Sequence, residues 1–185
     1  MLPGLKITLE AVLDSDDSVA FVLKWPGARN LPEMPALGLS FQMDARLQNV
    51  RYFGLGPDDN YVDRCEGAVL GWHDYKVAEG MTRYAKPQES GNRMGVRQLE
   101  LTGADGHGVC ITGKGLEISV QPYLPEELAC VYHYDELQGS CRTILDIAAF
   151  RMGVGGDVSW GAPVLPQYTY SADKPYELRF RMSAI

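Results

Sequence analysis

The strongest constraint on this chain is period-two alternation of apolar residues, in segments separated by clusters of Gly, Pro, Asn or Asp. Leu5, Ile7, Leu9 and Ala11 fall on one side of an extended segment. Val19, Phe21, Leu23 and Trp25 do so in the next, after the polar turn Asp14–Ser18. The same spacing recurs at Leu37, Leu39, Phe41 and Met43, at Leu116, Ile118 and Val120, and at Tyr176, Leu178, Phe180 and Met182. Side chains two residues apart share one face of a strand, so each segment can turn one face to a core and the other to water or a second sheet. The expected fold is all-β, a large antiparallel sandwich. One short helix is expected, opening on Pro125 with Glu126 and Glu127 in its first turn. Residues 26–35 hold three prolines and read as a connection, because proline cannot serve a central strand.

Composition narrows the function classes. The 185 residues are enough for one domain with a real core, and residues 1–185 are read as a single domain. A net charge of −7 with no basic stripe argues against nucleic acid, whose phosphates require clustered cations. It also argues against an anionic membrane surface, and no apolar run is long enough to span a bilayer. Met1–Gly4 carries no secretion signal. The expectation is a soluble protein, cytoplasmic or periplasmic according to the N-terminus of any larger parent. Cys65, Cys110, Cys130 and Cys141 are widely spaced and are expected to be reduced thiols packed as small hydrophobes. His73, His107 and His133 form no metal signature, so no metal ligand is assigned.

Three segments exceed generic strand and turn. They are Gly54-Leu55-Gly56-Pro57-Asp58-Asp59-Asn60-Tyr61-Val62-Asp63-Arg64, then Met81 to Arg93 with Pro87, Glu89 and Gly91, then Met152-Gly153-Val154-Gly155-Gly156-Asp157-Val158-Ser159-Trp160-Gly161. In the third, glycines on both sides of an indole suggest a ring held at a fixed point. Taken alone, the residues favour Trp160 as a plug at the end of the sandwich over a surface for the apolar face of a pyranose. A phosphate loop is excluded, because no Gly-Lys-Ser/Thr follows, Asp157 would repel phosphate, and Pro163 and Pro166 prevent a helix. Arg64, Arg93 and Arg97 near Asp58, Asp59, Asp63 and Glu89 read as charge pairs that pin long loops.

Together these segments resemble the C-terminal domain, or small chain, of β-galactosidases of glycoside hydrolase family 2. The family patterns are Gly-x-Gly-Pro-x-Glu-Asn-Tyr-Pro-Asp-Arg, Tyr-Thr-x-Tyr-x-x-Pro-Gln-Glu-Asn-Gly-x-Arg and Met-Gly-x-Gly-Gly-Asp-x-Ser-Trp-Gly. They occur here in order, with Asp59, Val62, Met81, Arg83, Ser90 and Val158 as departures. The resemblance spans about Pro35 to Met182. It implies a galactose-mutarotase-like supersandwich and a parent that cleaves terminal β-D-galactosides, lactose among them, with retention. It implies that Trp160 joins the aglycone side of the sugar site, with Asp157 and Ser159 as further contacts. It assigns structural roles to Gly54, Gly56, Pro57, Asn60, Tyr61, Asp63, Arg64, Pro87, Glu89, Gly91, Arg93, Gly153, Gly155 and Gly156.

The retaining reaction needs two carboxyl groups about 5–5.5 Å apart. In the family both lie on a barrel, together with the Mg²⁺ ligands. This chain has no strand–helix alternation for a barrel. It is therefore expected to hold no catalytic residue, to need no cofactor of its own, to be inactive alone, and to work with the catalytic barrel and other domains of its parent. A homo-oligomer is compatible with this, and an exposed apolar patch should mark where missing domains dock. Two other readings stay open: a stand-alone aldose 1-epimerase-like sugar domain, with His133 beside Asp135 or Glu136 as its acid–base pair, and an interaction module without sugar contact.

Overall fold

The structure is a computed structural model, and it describes residues 5–138, 140–156 and 160–185. Nine antiparallel strands carry the fold: β1 Thr8–Leu13, β2 Val19–Trp25, β3 Ala36–Met43, β4 Asn49–Gly56, β5 Val69–Lys76, β6 Arg93–Thr102, β7 Gly108–Gln121, β8 Thr143–Arg151 and β9 Tyr176–Ala184. One helix, α1 Pro125–Cys130, starts on proline as its sequence required, with Glu127 Oε2 accepting from the Leu124 N–H. Three 3₁₀ turns complete the described elements.

The strands run in the order β1-β2-β9-β7-β6-β4-β5 in one layer. The fourteen-residue β7 makes the second layer possible. Its first part, Val109–Gly113, pairs with β9, and its last part, Glu117–Gln121, pairs with β8, which in turn holds β3. Irregular register between Arg93 and Gln98 on β6 lies opposite this change of partner. Bulges bend a strand and sharpen its twist, and here they let one continuous sheet fold over itself. β3 thereby crosses above β2 and β9, with Phe41 5.7 Å from Phe21 and 6.1 Å from Phe180, ring centre to ring centre. Leu23, Tyr52, Leu99, Ile111, Ile118, Leu145, Ile147 and Leu178 fill the space between the layers. The all-β sandwich is as expected.

Two expectations change. The alternation of β1 is real, but its apolar face is exposed. The four cysteines are free, yet Cys130 and Cys141 are exposed and only Cys65 and Cys110 are partly covered. The short segments around residues 130 and 141 lie outside the layers, so they offer a thiol nothing to pack against.

Candidate functional site

The first two motif segments form one buried polar knot at the end of the sandwich. Gly54 and Gly56 close strand β4, and the chain turns through Pro57, which follows a cis bond. Asn60 is then locked in from both ends. Its amide donates to the Leu55 and Asp58 carbonyls at 3.0 Å each, and its Oδ1 accepts from the Met94 N–H at 2.9 Å. Asn92 answers from the second segment: its carbonyl accepts from the Asn60 N–H at 2.8 Å, and its amide donates to the Asn60 carbonyl at 3.0 Å. Loops without sheet partners must satisfy their backbone in this way to be buried.

The carboxylates of the motifs act as fasteners. Asp59 Oδ2 accepts from Arg64, from Thr82 Oγ1 and from the Gly91 N–H at 3.0–3.1 Å. Arg64 also donates to the Tyr84 hydroxyl and lies over the Tyr61 ring. Pro87 is buried beside them. Arg93 does not pair with an acid as read from sequence. Its guanidinium lies over the Tyr75 ring and donates to the Asn92 carbonyl. Arg97 likewise lies over Phe53.

Arg151, at the end of β8, links these loops to the third segment. Its guanidinium donates to Glu89 at 3.0 Å and approaches Asp146 at 3.9 Å. Tyr61 donates its hydroxyl to the same Glu89 oxygen at 3.0 Å. Burial, and then the Glu89 charge, push the Tyr61 hydroxyl far above its ordinary value. Glu117 on β7 accepts from Asn92 at 2.8 Å. Burial raises its carboxyl above the usual range, although Asn92 and Arg151 pull the other way. Burial also raises Asp146, against the Ser40 hydrogen bond and the Arg151 charge. Glu89 and Arg151 line a cleft of about 330 Å³, with Pro35, Met152, Gly153 and Val154 as the opposite wall.

Glu117 and Asp146 were not picked out from sequence. Each is a single acid inside an apolar run, Leu116-Glu117-Ile118 and Leu145-Asp146-Ile147, and that isolation was the available signal. The raised pKa gives a testable sign. The folded Glu117 carboxyl holds its proton to higher pH than the unfolded one, so its favourable contribution is complete at low pH and is lost as pH rises through the folded value. Glu117→Gln removes that loss. Urea unfolding at pH 4.5 and at pH 7 should show the variant gaining stability relative to the native chain as pH rises.

The third segment leaves this knot at Gly153, whose N–H donates to the Tyr168 carbonyl, and is pinned at Gly155, whose N–H donates to Asp63 Oδ2 at 2.7 Å. Gly155 lies beside the Ala162 carbonyl and the Val164 side chain, so the chain departs and returns at one place. Gly156 has a positive φ of 98°. Between these points Trp160 is 94% exposed. The plug at the end of the sandwich is therefore wrong. Asp157 and Ser159 lie outside the described residues.

Of the two acids considered beside His133 for an epimerase, Glu136 is otherwise occupied. Glu136 accepts from the backbone N–H groups of Tyr132 and His133, capping its own 3₁₀ turn. Among the described residues no group of three or more His, Cys, Asp or Glu is arranged to hold a metal ion, and no helix is long and apolar enough to cross a membrane.

The three segments thus build one end of the molecule, and known proteins carry the same arrangement of sequence. A family described as β-galactosidase small chain matches residues 3–182. A β-galactosidase of Halalkalibacterium halodurans is 39% identical over 161 residues, which is 86% of this chain and 16% of the relative. The β-galactosidase BgaC of Bifidobacterium adolescentis is 36% identical over 96% of this chain and 17% of its own length. A β-galactosidase of Streptococcus thermophilus is 32% identical over 100% of this chain and 18% of its own length. The chain spans about one sixth of the curated relatives it matches. Because the match runs through nearly every strand and all three segments, the chain belongs to the β-galactosidase small-chain family.

Proposed function

We propose that this chain is the non-catalytic small-chain domain of a retaining β-galactosidase of glycoside hydrolase family 2, and that it presents Trp160 to the aglycone side of the sugar site. The observation that carries the reading is the fully displayed indole on a loop pinned through Asp63 and Gly155. An aromatic ring left in water is ordinarily a loss. Displayed beyond a loop start that Asp63 holds at Gly155, it can stack on the apolar face of a sugar.

In this reading the two catalytic carboxyl groups and the Mg²⁺ ligands belong to the barrel on other polypeptide. This chain supplies position. The Asn60–Asn92 and Asp59–Gly91 contacts make the end of the sandwich rigid, Asp63 fixes the departure of the loop, and the indole narrows the mouth of the site.

In the assembled enzyme, Trp160→Ala should raise KM for lactose about five-fold and leave the chain's stability unchanged, as expected for losing a stacking contact on the order of 1 kcal/mol. Unchanged KM and kcat would remove the aglycone contact. Asp63→Ala should raise KM in the same direction. The double variant should be no worse than Trp160→Ala alone, because Asp63 acts only by placing the ring. Additive losses would give Asp63 some other task.

A further inference from the structure

The face of the large layer that forms the core continues past its cover. Residues opposite one another across paired strands point to the same side. Leu9 stands opposite Leu23, which stands opposite Leu178. Ala11, Phe21 and Phe180 form the next row, and Leu13, Val19 and Met182 the third. Leu23, Leu178 and Phe180 are buried beneath β3 and β8. At β1 the cover has ended: Leu9 is 51% exposed and Leu13 72%, and Ile7, in the same phase, is 54% exposed. The result is an apolar ledge flush with the core.

Both layers stop on this side. Among the described residues β1 is bonded only to β2, and β3, which lies above β2 and β9, is bonded only to β8. The edge of β3 is interrupted by a register shift between Leu37 and Gly38, but the edge of β1 lacks the usual protection. β1 pairs with β2 in unbroken register over its whole length, with no proline or bulge, and its Glu10 charge is taken up by Lys24 on the same sheet. A long, regular, apolar edge beside uncovered core residues is a template for another strand.

We propose that the ledge and the free edge of β1 receive an extended, strand-forming segment from the remainder of the β-galactosidase polypeptide, which continues the sheet beyond β1 and lays alternate apolar side chains over Ile7, Leu9 and Leu13. This rests on the reading of the chain as a domain of such an enzyme. The relatives have five-sixths of their length outside the matched region, ample for the segment. The apolar character of the ledge requires apolar residues on one face of it, and the unpaired backbone of β1 requires an extended conformation rather than a helix.

Hydrogen exchange tests this directly. The 185-residue chain alone is compared with the same chain assembled with the polypeptide that accompanies it in the complete enzyme. The β1 amides that do not donate to β2 should exchange about 100-fold more slowly in the assembly, while amides on the far edge, β5, change little. Equal exchange of β1 in both states overturns the proposal. Loss of accessibility at the ledge side chains without protection of those amides also overturns it, in favour of a helix or loop resting there.

Leu9→Lys with Leu13→Lys gives a second readout. In the isolated chain the pair should move Tm by less than about 2 °C, since both sites are exposed, and in the assembly it should cut the yield of complex at least ten-fold. Normal assembly overturns the proposal. So does a dimer of the isolated chain, seen in the ultracentrifuge and abolished by the pair, which would make a second copy the occupant. None of these readouts depends on KM, so failure here is distinguishable from failure of the Trp160 reading.

Discussion

Replacing Asn60 by alanine should lower the stability of this chain by about 3–4 kcal/mol. The side chain is 2% exposed and satisfies three backbone groups, the Leu55 and Asp58 carbonyls and the Met94 N–H. Each buried group left without a partner costs about 1 kcal/mol or more. Against a total of about 5–15 kcal/mol for a domain, the loss is large. With a urea slope of about 2 kcal/mol/M, the unfolding midpoint should fall by about 1.5–2 M. A fall below about 0.5 M would mean that the knot is not what holds the two loops. Asn60→Asp separates the two halves of the contact, since it keeps the acceptor facing Met94 and turns the donor into a charge facing two carbonyls. It should be at least as damaging as alanine.

Gly91→Ala is expected to be comparably severe, about 3 kcal/mol or more, for a different reason. Gly91 has φ +82°, where a side chain costs about 1–2 kcal/mol. A methyl group there would also land on the Gly80 carbonyl oxygen, inside contact distance. The backbone would have to move, and with it the Gly91 N–H that Asp59 accepts and the Asn92 contacts next in sequence. Gly106 is the natural control. Its φ is also +82°, but a methyl group there meets nothing within 4 Å. Gly106→Ala should therefore cost only the conformational part, about 1 kcal/mol. Calorimetry on the two variants measures the difference. Equal losses would show that the Gly80 approach carries no weight.

The sequence made some elements plain and hid others for physical reasons. β3 and β9 alternate because one face meets the core and the other is largely open, so period two is printed in the residues. β8 does not alternate. Both of its faces are covered, and Thr143-Ile144-Leu145-Asp146-Ile147 is buried throughout. β6 alternates only in its second half, because its register shifts between Arg93 and Gln98. Alternation on β1 was legible, but its exposure was not. A pattern states that a face is apolar without saying what lies over it.

The site divides in the same way. Gly54 to Arg64 and Met81 to Arg93 could be set apart from sequence because turn residues and charges crowd there. That Asp59 reaches Gly91, or that Asp63 reaches Gly155, depends on how far-separated loops meet in space. Trp160 could be picked out by its flanking glycines, yet those glycines serve a buried plug and a displayed ring equally well. Only the exposure of the ring in the folded chain decides between them.

The pairing of β2 with β9 joins residues 19–25 to residues 176–182. During synthesis on a ribosome, Phe21 and Leu23 must therefore wait until residues 176–182 have been translated before their neighbouring strand exists. Contacts this distant slow folding and leave apolar strands unguarded meanwhile. A stop codon near residue 175 would strand the first hairpin altogether, and a nascent chain stalled there would be a natural client for a chaperone.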